Sequence, residues 1–293
     1  MSVLTSERPS GEHHGAPVGR ARRGAPALGL AILTGGAARL WLVALLAAGW
    51  EIGTRVAKDP FFPPPSTIMR ALHEIWFSGP VTQLFLTDKA IDDFRPSFIN
   101  LFGGWALAAV GGVVLGIVIG RSQAVGDVLD PLLQFGRSIP PPTLIPFFIV
   151  VFDLGTPMQV ATIAFGVVWP VLLNTIEGVR TVDSLQLQTA QVFGITGAQR
   201  LRRIILPASA PKIFAGLRVS LGFALILMVI SELIGSTTGI GAHLINSQQS
   251  LEMPEMWAGI AALGILGCLF NAVFVLVERR FLAWHHGARR LDS

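Results

Sequence analysis

Few side chains in this 293-residue sequence are placed to do chemistry, and the most suggestive is Glu232, a carboxylate inside a long apolar run. At membrane depth such an acid is a candidate for solute binding, a gate or a structural tie. Its negative charge would repel an anionic solute. A gate, or a hydrogen-bonded tie holding the adjoining loop, therefore suits Glu232 better than solute binding. Asn174 and Asn271 also lie in apolar runs, where interhelical hydrogen bonding is their expected role. His13-His14 and His285-His286 are adjacent pairs in polar tails, which is too few ligands for a metal site. His243 falls in a loop rich in Gly, Ser and Thr and is expected to be solvated. Lys58, Lys89 and Lys212 are the only lysines and none follows a glycine, so no phosphate-cradling loop of the Gly-Lys type exists. His73-Glu74 lacks the second histidine of a zinc-protease helix, and there is no GxSxG elbow or CxxC pair. The lone Cys268 allows no internal disulfide and no cysteine metal cluster. The chain reads as non-catalytic, with no cofactor or metal of its own.

The elements that carry these residues belong in a bilayer. The composition is 52% hydrophobic and 14% charged, against about 25% charged in soluble domains. A hydrocarbon core about 30 Å thick needs roughly 20 helical residues. Six spans fit: Ala37–Val56, Ser97–Gly120, Ser138–Phe152, Met158–Gly178, Ile213–Ile234 and Met256–Val277. The expected fold is an all-α integral membrane protein with six transmembrane helices, its membrane domain covering residues 37–280. The third span is short and begins among Pro140, Pro141, Pro142 and Pro146. Lost backbone donors require it to be kinked or partly unwound, and it is expected to extend back to Leu132.

Residues 1–26 are polar and predict a disordered tail. Arg20, Arg22 and Arg23 before an apolar run resemble a secretory leader, but that run continues past Arg39 to Ile52 and better suits an uncleaved span. Residues 281–293 form a second, basic tail. With the N-terminus inside, only Arg55, Lys58, Arg70, Lys89 and Arg95 of the 22 basic residues lie outside. The positive-inside bias therefore predicts a multi-pass protein of the inner or plasma membrane with both termini cytoplasmic. It also accounts for the net charge of +4 without nucleic acid. On the outer side, prolines 60–65 precede a short helix that Ser66 could cap. Ile68, Leu72, Ile75 and Trp76 share one face of it, for packing on the bundle or for docking.

Two further patterns stand out. Gly104, Ala108, Gly112, Gly116 and Gly120 recur every four residues, a small-residue face for close helix packing, within one subunit or between two. Residues 181–212 form a polar, basic island between apolar spans. Asp183 with Gln186, and Thr196 with Gln199, have capping-box spacing. Gly194 can end the first helix in a left-handed turn. Pro207 is expected to stop the second, and Ser209 and Pro211 to open the fifth span. The island should form a helix, a glycine corner and a helix, presented to a soluble partner.

The island also carries a likeness. Gln188-Thr-Ala-Gln-Val-Phe-Gly194, with Ile204-Ile-Leu-Pro207 ten residues on, resembles the Glu-Ala-Ala…Gly…Ile-x-Leu-Pro coupling loop of ABC importer permeases. PhePheProProProSer at 61–66, AspProLeuLeuGln at 130–134, ArgSerIleProPro at 137–141, LeuIlePro at 144–146, LeuLeuAsnThr at 172–175 and SerGluLeuIleGly at 231–235 resemble the nitrate/sulfonate/taurine branch. Gln188, Thr189 and Ile195 depart from the usual Glu, Ala and Ala of the loop, which removes a carboxylate from the docking surface. The resemblance implies a type I importer permease that couples through Gln188, Thr189, Ala190, Gly194, Ile204, Leu206 and Pro207. Its implied partners are a cytoplasmic ATPase dimer that binds the ATP, a second permease copy, membrane lipid and an external solute-binding protein. A secondary transporter driven by an ion gradient is the alternative. It would favour paired intramembrane acids and an internal repeat, neither of which is found.

Overall fold

The computed structural model describes residues 26–282, with side chains from residue 41, and these residues are helical throughout apart from turns and loops. The expectations for the tails 1–26 and 281–293, including both histidine pairs, fall almost wholly outside the described residues. The chain forms two units, residues 1–50 and 51–293. The first contains the N-terminal part of α1 (Pro26–Ala57), the helix on which the expected span Ala37–Val56 falls.

The second unit is built on three long helices: α3 (Asp88–Gly120), α6 (Thr156–Arg180) and α9 (Leu206–Gly235). α6 packs against both of the others. Leu101 from α3, Ile163 and Val167 from α6, and Ala224 and Met228 from α9 form the main core. α11 (Met253–Phe281) lies against α9, against α10 (Ile240–Gln249) and against α2 (Pro65–Trp76). Among the described residues, four stretches are long and apolar enough to cross a bilayer: Val81–Gly120, Thr156–Arg180, Gly197–Gly235 and Met253–Phe281. Thr87 caps α3 by accepting the Ala90 amide, and the helix's 33 residues extend about 50 Å, well beyond the bilayer core.

The third expected span is not one helix. α4 (Gln123–Ser138) and α5 (Ile145–Phe152) are bent 85° apart across a 3₁₀ turn at Pro141–Leu144. Pro140, Pro141 and Pro142 remove three consecutive donors, and Ile139, ahead of them, is held in the extended region at ψ 119°. α5, with eight residues, is too short to cross alone, so the pair makes at most one broken fifth span.

Pro207 does not stop a helix either. α8 (Gly197–Arg200), a π-turn at Leu201–Ile205 and α9 run on as one stretch to Gly235. The wide turn lets the Leu206 amide reach back five residues to the Leu201 carbonyl. That local widening accommodates a proline ring and its missing donor at the next position. Ser209 opens nothing: it is buried and its hydroxyl donates to the Ile205 carbonyl at 2.8 Å. Ser66 is likewise not a cap. Pro64 and Pro65 begin α2, and Ser66 instead gives its amide (3.0 Å) and hydroxyl (2.7 Å) to the Glu51 carboxylate. α2 packs on the bundle, with Ile68, Leu72 and Trp76 buried against Ala90, Ala258 and Ala262.

The four-residue ladder of α3 faces α6 of the same chain. A Cβ at Gly104 would lie 2.6 Å from Ile163, one at Gly112 2.9 Å from Val171, one at Gly116 2.6 Å from Thr175 and one at Gly120 2.9 Å from Val179. Ala108 completes the face and is buried. Gly116→Ala should therefore separate two packed backbones. A loss of about 1–3 kcal/mol, the usual cost of overpacking, is expected as a lower melting temperature in detergent. Gly111→Ala, where a Cβ meets open space, is the matched control and should melt with the parent protein.

Candidate functional site

Two constructed regions lie at opposite ends of α3. At its Asp88 end, α3, α6, α9 and α10 enclose a polar cluster. Its buried face runs Ala90, Asp93, Ser97, Asn100, Gly104, spaced by three and four residues as one helix face requires. Glu232 is wholly buried near the end of α9. Its Oε2 accepts the Ser97 hydroxyl and the Gly241 amide, both at 2.9 Å. The Ile240 amide donates to Ser97 Oγ at 2.9 Å. The first turn of α10 thus points its free amides at a carboxylate, a favourable dipole arrangement. Glycine makes the fit possible: Gly239 has φ +109°, and a Cβ there would lie 2.7 Å from the Glu232 carboxyl carbon.

Asn100 and Gln159 share a hydrogen bond beside this carboxylate. As placed, Asn100 Oδ1, Gln159 Nε2 and Glu232 Oε1 are buried without partners.

Asp93 is the second hub. It accepts from Trp76 Nε1 at 2.9 Å and pairs with Lys89 at 3.0 Å. His243, expected in solvent, is instead 3% exposed, with its ring 5.1 Å from Trp76 and Nδ1 3.9 Å from Asp93 Oδ2. Burial pushes the His243 imidazole below its ordinary pKa, and Asp93 partly opposes this. The loop composition around His243 concealed a buried helix face.

At the Gly120 end of α3, α7 (Ser184–Val192) starts at Asp183, whose side chain accepts the Leu185 amide. It ends in a Schellman corner. The Ile195 amide donates to the Ala190 carbonyl at 2.9 Å and the Gly194 amide to Gln191 at 3.0 Å, with Gly194 left-handed at φ +68°. Thr196 and Gln199 form a complete capping box and restart the chain as α8. Ala190 is the buried residue of α7. Gln188 and Thr189 are exposed, as are Leu185, Val192 and Phe193 at 67%, 84% and 79%. Ile204, Leu206 and Pro207 are half-buried in the π-turn and the start of α9. The two asparagines belong to neither region. Asn174 donates to its own helix at Pro170, and its Cβ packs where a Cβ on Gly216 would be 2.8 Å away. Asn271 is exposed and borders a small cleft of about 60 Å³.

Similarity to known proteins follows the same pattern. A chain of Bacillus subtilis (strain 168), described as an aliphatic sulfonates transport permease protein, is 32% identical over 84% of this chain and 87% of its own. The taurine transport system permease protein of Escherichia coli (strain K12) is 30% identical over 83% and 88%. A chain of the MetNI methionine ABC transporter in an inward-facing conformation shares the fold, with a TM-score of 0.57 at 15% identity over 64% of this chain and 93% of that one. Residues 112–283, which include the α7 corner, the π-turn and Glu232, match the family model for binding-protein-dependent transport system inner membrane components, and the chain belongs to that family.

Proposed function

We propose that this chain forms the solute path of an ATP-driven importer and takes its energy from a separate ATPase dimer through α7 and the Gly194 corner. The observation that carries this reading is the corner itself. It is locked at both ends by caps, yet presents Leu185, Val192 and Phe193 unburied. Exposed apolar side chains on a rigid polar helix suit a partner groove. Gln188 stands on the same helix and supplies hydrogen bonds where a carboxylate is usual, so pairing with a basic groove would rest on neutral contacts. Closing of the ATPases would draw two such helices together and rock the spans between two states. That requires a second permease copy, and an external binding protein to deliver the solute.

The proposed topology has six spans, with α1 as the first and the bent α4–α5 pair as the third, and with both termini and α7 in the cytoplasm. The solute is inferred to be a small oxyanion or sulfonate, since relatives are named for sulfonates, taurine, bicarbonate and nitrate. Glu232, sealed away with its partners, acts in this reading as a tie between helices and leaves the anion path free of its charge.

Vesicles holding the chain with its ATPase and binding protein should continue uptake when ionophores collapse the ion gradients and ATP is kept. Loss of uptake with ATP intact would support the ion-driven alternative. Cysteines placed at Arg202 and Arg203, both exposed, should react with membrane-impermeant maleimide only after the membrane is opened. Labelling from outside intact cells would invert the topology.

A further inference from the structure

Between the Gly120 end of α3, the start of α4, the end of α6 and the α7–α8 corner lies a cavity of about 520 Å³. Three arginines line it: Arg121, Arg180 and Arg200. Gln123 and one carboxylate, Asp127, share the wall. Among the described residues none of the three guanidinium groups has a hydrogen-bond or ion-pair partner, and Arg200 Nε is buried without one. The dipole at a helix C-terminus accounts for a basic residue at Arg121 and at Arg180. It does not account for Arg200, which lies near the start of a helix. Arg180 is directed across the cavity toward α4, since a Cβ on Gly126 would collide with its Nη2. Three cations against one anion, with one buried donor unsatisfied, favour a negative ligand.

The cavity's position identifies the source. Val81–Gly120 and Thr156–Arg180 end at it, and Gly197–Gly235 begins at it. Stretches apolar enough to cross a bilayer thus meet the cavity at their ends, where lipid phosphates would come within reach. The cavity's volume is also far larger than a lone phosphate needs, and suits a phosphate carried on a small organic body. We infer that this cavity binds the phosphate of an anionic phospholipid headgroup, the three guanidiniums forming the anion site behind α7. Basic pockets between transmembrane helices at the membrane surface take such headgroups. Leu187 of α7 also lines the cavity, so a seated headgroup would brace the corner from behind.

The test is native mass spectrometry of the purified full chain in detergent, titrated with phosphatidylglycerol or phosphatidylcholine of equal chain length. Phosphatidylglycerol should stay bound at about thirtyfold lower concentration, from two uncompensated charges. The double variant Arg121→Gln/Arg200→Gln should bring it to the phosphatidylcholine level. Gln123→Glu should also weaken retention. It adds a carboxylate to the wall at an exposed first turn, where a negative residue stabilises the helix, so misfolding cannot explain the loss. Arg202→Gln/Arg203→Gln, on exposed arginines of the same segment, should change nothing. Equal retention of the two lipids, insensitivity to the cavity variants, or an equal loss in the Arg202/Arg203 control would overturn the site. Displacement of the lipid by millimolar glycerol phosphate would overturn the lipid assignment and reassign the arginines to a soluble phosphate.

Discussion

Gly194→Val should reduce solute uptake to background while the chain still inserts, purifies and melts like the parent protein. Gly194 sits at φ +68°, where a residue with a Cβ is disfavoured by roughly 1–2 kcal/mol, and a β-branched one more so. A Cβ there meets nothing within 4 Å, so the substitution cannot strain the bundle by collision. Its whole cost falls on the corner. The Ile195 and Gly194 amides leave Ala190 and Gln191, the last turn of α7 frays, and Val192 and Phe193 lose their common orientation. Gly194→Asn should keep most of the uptake, because asparagine tolerates the left-handed region. The measurements are ATP-dependent uptake, co-purification of the ATPase and melting temperature. Normal uptake and ATPase retention in the valine variant would refute docking through this corner, and a lower melting temperature would assign Gly194 to the fold instead.

The α7 corner was legible in the sequence because its determinants are local. Asp183 starts α7, Gly194 turns left-handed, and Thr196 closes a capping box with Gln199, as their types predict, although Gln186 does not close the box its spacing from Asp183 suggested. The α3 ladder was legible as a small face, but its partner was not. That α6 supplies Ile163, Val171 and Thr175 is a long-range fact. Pro207 misled for a physical reason: proline stops a helix only where the turn before it cannot widen, and Leu201–Ile205 widens. The cluster at the Asp88 end of α3 was the least visible. Asp93, Ser97, Asn100 and Gln159 form no motif, and His243 lies in a polar stretch. One signal was present. Carried toward Asp88, the face of the glycine ladder passes through Asn100, Ser97 and Asp93, so helix packing that is tight at one end must enclose polar groups at the other.

Those enclosed groups set the second large effect. Glu232→Ala should lower stability by about 1–3 kcal/mol for the stranded donors, with the cost of the cavity left by the side chain added to it. The Gly241 amide would lose its acceptor inside the protein, and a void would open under Gly239. Ser97 would suffer less, because its hydroxyl already reaches the Asp93 carbonyl at 3.0 Å. Glu232→Gln keeps an oxygen for Gly241 and Ser97. It also keeps the side chain's shape, so it should melt within a few degrees of the parent protein. The pair of variants separates a tie from a proton carrier. In a tie, the glutamine variant transports and the alanine variant fails to hold α3, α9 and α10 together. In a carrier, glutamine, which cannot release a proton, abolishes uptake while leaving stability intact, and that result would refute the structural assignment of Glu232. Ser97→Ala gives a third bearing on the same tie. It removes the hydroxyl that links the Ile240 amide to Glu232 Oε2, and combined with Glu232→Ala it should cost less than the two single losses added, because residues sharing one network are not independent.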